Sequence, residues 1–154
     1  MSLSKIIIQK LIDKNISVSV AESCTGGKIS KIFTDIPGVS KIFNMGLVTY
    51  SNQSKNSILK ISNSIINKKG AVSEEVINLM IKNLFKISKS DLCIGTTGIA
   101  GPSGGSKNKP VGLVYIGIIL YKKKYIFKKK FQGNRNKIQN DTISFCLNEI
   151  YKLI

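Results

Sequence analysis

At 154 residues the chain is long enough to bury a core without disulfide or metal staples, and 42% hydrophobic with 21% charged residues excludes a disordered chain. The absence of any His excludes Ser-His-Asp and Cys-His catalysis and His-ligated metal, and three scattered Cys lack metal-ligand spacing, so no metal site is expected. A net charge of +16 accompanies a bias toward Lys, Ile and Asn that AT-rich coding sequence produces whatever the function. It suits an anionic small molecule; a nucleic-acid partner is not expected.

The apolar positions Ile7, Ile8, Leu11 and Ile12 predict a helix over 3–14, in a run too short and too soon interrupted for a signal peptide. SVSVA at 17–21 predicts a strand, and a helix follows the Gly26-Gly27 pair from Thr25 to about Phe33. After turn residues at 35–38, MGLVTY at 45–50 predicts a second strand and 51–59 a polar helix. Ser73 is the expected N-cap of the clearest helix, with Glu74 and Glu75 in its first turn and Val76, Met80, Leu84 and Ile87 as its apolar stripe. A third strand over 92–96 enters a Gly-rich loop at 98–105. Segments 111–121 and 124–132 predict a strand pair, and Ile143, Leu147, Ile150 and Ile154 mark a final helix from about Asn134. Val111 to Leu120 is well short of a membrane span, so no membrane partner is expected. The three scattered Cys fit a reduced cytoplasmic setting, with Cys93 and Cys146 as small core side chains. The alternation of helices with the first three strands predicts a single three-layer α/β/α domain over 1–154, with a mixed, mostly parallel sheet.

Four segments carry chemistry. In AESCTGG at 21–27 a strand runs into a Gly-rich turn that opens a helix, the place where α/β sheets gather ligands. Gly26 and Gly27 allow close backbone approach to a phosphate or oxyanion, while Ser23 and Thr25 present hydroxyls; a helix cap with a packing Gly pair is the competing reading. In GLVTYSNQSK at 46–55, Tyr50 and Lys55 offer activation of a Ser without His, because a desolvated Lys can take the Ser proton. Tyr50 would relay that proton or hold the substrate. Five of the positions 95–105 are Gly, beside Thr96, Thr97 and Ser103, which suits a loop wrapping a polar ligand and matches neither a Walker A loop nor GxGxxG. Arg135 is the sole Arg in a Lys-rich chain and suits bidentate grip on phosphate or carboxylate, although a surface Arg is equally consistent. YKKKYIFKKKF at 121–131 reads as an edge hairpin blunted by Lys rather than a nucleic-acid surface.

Taken in order, AESCTGG, YSNQSK, GAVSE at 70–74, TGIAGPSGG, PVGLVYIG and the Gly-x-Arg at 133–135 resemble the CinA C-terminal domain family. The resemblance covers nearly the whole chain. It implies a five-stranded mixed sheet with helices on both faces, a homodimer, and the nicotinamide-nucleotide amidohydrolase activity of stand-alone (PncC-type) members, with no cofactor. It implies Ser23 as nucleophile, Lys55 as base, Tyr50 beside them, and ligand-binding positions at Thr25, Gly26, Gly27, Thr97, Gly98 and Gly101. Gly105 and Arg135 join these as candidates for holding the phosphate of a nucleotide substrate. Ser103 stands where the family usually has Gly, and Gln139 where a second Arg is common. The amino-terminal domain of longer members is not in this sequence, so its pyrophosphatase activity is not expected. The expected reaction is deamidation of nicotinamide mononucleotide to nicotinic acid mononucleotide and ammonia. The competing expectation is a non-catalytic nucleotide-binding or interaction module of the same fold.

Overall fold

A computed structural model describes residues 1–154. The helices are α1 (Leu3–Asp13), α2 (Lys28–Thr34), α3 (Asn52–Ser57), α4 (Asn63–Lys69), α5 (Glu74–Ser88) and α6 (Arg135–Leu153). The strands are β1 (Val18–Glu22), β2 (Phe43–Val48), β3 (Leu92–Gly98), β4 (Leu113–Leu120) and β5 (Lys123–Lys130). They form one sheet in the order β2-β1-β3-β4-β5. β1 pairs in parallel with β2 and β3, whereas β3–β4 and β4–β5 are antiparallel, so only β4 runs against the other four.

The burial pattern explains the sheet. β1, β3 and β4 are buried on both faces because helices cover both. Val18, Val20, Ile94, Val114 and Ile116 meet Ile7, Leu11, Phe33, Ile138 and Ile150 from α1, α2 and α6. Ala21, Cys93, Tyr115 and Ile119 meet Val76, Ile77, Met80 and Ile81 of α5 on the opposite side. This is the expected three-layer α/β/α arrangement. β2 and β5 are edge strands, and Lys123, Lys124, Lys128 and Lys130 of β5 are exposed. No helix is long and apolar enough to cross a membrane.

Several boundaries differ from expectation. β2 begins at Phe43 and ends at Val48, leaving Thr49 and Tyr50 as an extended exit rather than strand. A 3-10 turn at Val39–Lys41 and the short helix α4 were not anticipated, since neither carries a full apolar stripe. Tyr121 and Lys122, both at positive φ (47° and 70°), make the two-residue turn of the β4–β5 hairpin.

The chain leaves β1 toward β2 on one side and returns past β1 to β3 on the other. The carboxyl end of β1 turns into α2, whereas that of β3 runs into the Gly-rich loop before β4, opening a crevice at that switch point.

Candidate functional site

β1 ends where Glu22 lies level with Thr96 of β3 and Val48 of β2. Ser23 follows at once, its N–H donating to the Thr96 carbonyl at 3.1 Å. The chain then turns sharply: Gly26 N–H donates to the Ser23 carbonyl at 3.0 Å, and Gly26 and Gly27 take φ of +59° and +94°. Those left-handed values favour Gly. Ser23 is thus held at the edge of the crevice, 8% exposed.

Lys55 reaches it from the other side. Ser51 and Ser54 form a capping box that starts α3 immediately after the β2 exit, which places Lys55 on its inner face. Lys55 is only 1% exposed, and Nζ lies 3.0 Å from Ser23 Oγ and donates to the Thr49 carbonyl at 2.7 Å. No carboxylate pairs with it, and burial pushes its pKa down from 10.5 to about 8. Cys24, next to Ser23, has its thiol pushed up to about 12 by burial, so it stays protonated and is no competing nucleophile. Cys93 is likewise pushed up to about 11 by burial, and both Cys93 and Cys146 are core side chains, as expected.

The crevice is a cavity of about 240 Å³. Of the expected site residues, Ser23, Tyr50, Lys55, Thr97, Gly98, Gly101 and Arg135 line it. Arg135, the first residue of α6, donates to the Gly101 carbonyl at 2.7 Å and to the Tyr50 hydroxyl at 2.6 Å. It ties the 98–105 loop to the β2 exit across the mouth. Tyr50 is 56% exposed and bonds Arg135, whereas the Ser23–Lys55 contact is direct, so the geometry does not include a relay through Tyr50. Thr97 donates to the Ala71 carbonyl at 2.8 Å, joining β3 to the α4–α5 connection. Gly98 packs against β4, where a Cβ would meet the Leu113 carbonyl oxygen at 2.8 Å.

Four expected ligand positions are placed elsewhere. Thr25, Gly26, Gly27 and Gly105 do not line the cavity. Thr25 is wholly buried and its hydroxyl donates to Glu22 at 2.7 Å. Gly105 abuts Val111, whose backbone N would be 2.8 Å from an added Cβ. The end of α2, read from sequence as a phosphate cradle, is already filled: the Glu22 carboxylate accepts from Ile29 N–H at 2.9 Å and Ser30 N–H at 3.0 Å. Anion-binding capacity lies across the crevice instead. The N–H groups of Ala100, Gly101, Ser103 and Gly104, like that of Cys24, donate to no other protein atom. No acidic residue lines the cavity.

Asn52, Ala71, Val72, Ile99, Ala100, Ser103 and Gly104 also line it. Ala71 and Val72 lie within the GAVSE segment that the resemblance had already picked out, without a role. Gln139 donates to the Cys24 carbonyl at 2.9 Å and so buttresses the turn that holds Ser23. No group of three or more Cys, Asp or Glu could hold a metal ion.

A CinA-like protein of Fusobacterium nucleatum is 44% identical over 142 residues, 92% of this chain and 34% of the relative. A protein of Caldanaerobacter subterraneus subsp. tengcongensis, provisionally named competence-damage inducible, is 47% identical over 137 residues, 89% of this chain and 33% of its own length. The chain thus spans about a third of the length of the curated relatives it matches. Among solved structures, the competence/damage inducible protein CihA of Agrobacterium tumefaciens superposes with a TM-score of 0.93 at 33% identity, covering 98% of this chain and 93% of that one. The five-stranded sheet and its six helices are therefore a CinA-like fold, and residues 1–154 match the CinA C-terminal domain from end to end. The chain belongs to the CinA C-terminal domain family.

Proposed function

We propose that this chain is a nicotinamide-nucleotide amidohydrolase that converts nicotinamide mononucleotide to nicotinic acid mononucleotide and ammonia. The observation that carries the reading is the buried Lys55 amine, 3.0 Å from Ser23 Oγ with a pKa lowered to about 8. At neutral pH about one molecule in ten holds that amine uncharged. Its N–H then still donates to the Thr49 carbonyl while its lone pair accepts the Ser23 hydroxyl proton.

The chemistry follows from that pair. Ser23 Oγ attacks the carboxamide carbon as its proton passes to Lys55, and the carbonyl electron pair moves to oxygen. The free N–H of Cys24 and those of the 100–104 loop are the donors available to that oxyanion and to the nucleotide phosphate. Collapse of the intermediate breaks the C–N bond, and the Lys55 ammonium returns its proton to the departing nitrogen, which leaves as ammonia. Water, deprotonated by the same amine, then attacks the Ser23 ester; the acid departs and Ser23 is reprotonated. Arg135, with no carboxylate beside it, hydrogen-bonds the loop that would face the phosphate.

Ammonia release from nicotinamide mononucleotide, with Ser23→Ala as control, tests the reading. Ser23→Ala is expected to lower kcat by at least about 1,000-fold with nucleotide affinity retained. Undiminished release by that variant would refute the Ser23 mechanism. Tight binding of the nucleotide by the native chain with no turnover would favour a binding module of the same fold.

A further inference from the structure

Glu22 is a wholly buried carboxylate that the reaction above does not use. One oxygen accepts from Thr25 Oγ1 at 2.7 Å and Ile29 N–H at 2.9 Å; the other accepts from Ser30 N–H at 3.0 Å and Ser30 Oγ at 2.8 Å. Removing a carboxylate from water is costly unless its lone-pair directions all find donors, and here they do. Capping α2 alone would not require it. A Ser or Asp at the cap position serves that purpose with far less desolvation, yet that position is Gly27 and carries no side chain.

What Glu22 adds is reach beneath Ser23. Thr25 donates to Glu22, so in the 2.9 Å contact between the Thr25 and Thr96 hydroxyls Thr96 is the donor. A one-way chain of hydrogen bonds therefore runs from Thr96 through Thr25 to Glu22. The Thr96 carbonyl in turn accepts the Ser23 N–H at 3.1 Å. The main chain of Glu22 serves the partner group as well. Its carbonyl accepts the Thr49 N–H at 2.8 Å, and the Thr49 carbonyl holds Lys55 Nζ at 2.7 Å. Both members of the Ser23–Lys55 pair are thus referenced to one residue at the end of β1.

We propose that Glu22, acting through Thr25, is a positioning residue that fixes the Ser23 turn so that Oγ faces the Lys55 amine. The proposal rests on Ser23 being the nucleophile. Glu22 and Thr25 touch neither the substrate nor the reacting atoms; they set the geometry in which the proton can pass.

The test compares Thr25→Val, Thr25→Ser and Glu22→Gln in the full chain, using two readouts. One is steady-state release of ammonia. The other is labelling of Ser23 by a small fluorophosphonate, in which an Oγ–P bond forms, fluoride leaves and the Ser23 proton is lost; intact mass follows it. Thr25→Val keeps the shape and deletes only the hydroxyl, and circular dichroism checks that it folds. It should lower kcat by about 30-fold with KM within about twofold, and slow Ser23 labelling to the same degree. Thr25→Ser should return both rates to within about threefold of the native chain. Glu22→Gln turns an amide N–H₂ toward donors and should act like Thr25→Val. A folded Thr25→Val that labels at the native rate would overturn the proposal, as would a loss carried by KM or a Thr25→Ser as slow as Thr25→Val. Thr25-dependent labelling without ammonia release supports the positioning role and removes the assigned substrate. A native chain that does not label at Ser23 overturns the positioning role itself.

Discussion

Lys55 has no carboxylate beside it, and desolvation sets its proton affinity, which yields two outcomes with defined signs. The base must be neutral to act, so kcat should climb about tenfold per pH unit below about 8 and level off above it; a pH series of ammonia release reads this directly. Stability follows the same group. Folding lowers its pKa from 10.5 to about 8, so the unfolded chain binds more protons between those values and stability rises with pH across that window. The cost of burying the cation, fully present below about pH 8, is roughly 3 kcal/mol. Lys55→Met should therefore abolish turnover, yet unfold at a higher denaturant midpoint than the native chain at pH 7, with that advantage fading toward pH 10. Ser23, Lys55 and Arg135 could be picked out beforehand because a His-free chain leaves few activators and a lone Arg among lysines stands out. Glu22 could not. A carboxylate adjacent to Ser23 looks like any surface acid until the α2 backbone is seen to close over it, and the same closure turns Thr25 away from the cavity.

Among the elements, α5 comes closest to the sheet, and it does so over two glycines that face each other across the β3–β4 ladder. Gly95 pairs with Gly117, and a Cβ on either would come within 2.8 Å of Ile81 side-chain carbons. That approach sets the height at which β3 delivers Thr97 to the crevice. Gly117→Val should destabilise the fold by about 1–3 kcal/mol through overpacking, measurable as a lowered urea midpoint, and should lower kcat although residue 117 lies outside the cavity. The long elements were readable from sequence because each carries its own period: the stripe of α5, the β-branched runs of β1 and β4, the spaced apolar residues of α6. α3 was readable as a polar helix from its serines and position. α4 and the 3-10 turn at Val39–Lys41 were not, since each buries a single side chain, Ile66 or Val39, and such an element is stabilised by its neighbours rather than by its own pattern. Thr49 and Tyr50 continue the run of β2 past the end of β1, Thr49 keeping only its N–H bond to the Glu22 carbonyl, which is why the strand reads two residues too long from sequence alone.

Across the whole molecule, Lys and Arg number 24 against 8 Asp and Glu. Only Lys31, Lys69, Lys137 and Lys152 pair with acids, all on the surface, and Glu22 and Asp91 are engaged with hydroxyls and backbone N–H groups. Most of the positive charge therefore faces solvent uncompensated and repels itself. Raising salt from about 20 to 300 mM should increase Tm by several degrees through screening, while raising KM for an anionic substrate by weakening its attraction. Neither effect was hidden in the sequence, although composition alone could not say that the crevice itself is free of acids. The way Glu22 fills the end of α2 bears on inhibition. A free phosphate ion finds no open helix terminus beside Ser23 and is left with the Arg135 side of the crevice. Inorganic phosphate should therefore compete with the nucleotide for binding while leaving the rate of Ser23 phosphonylation unchanged, so that product-like anions can slow the enzyme without shielding its nucleophile.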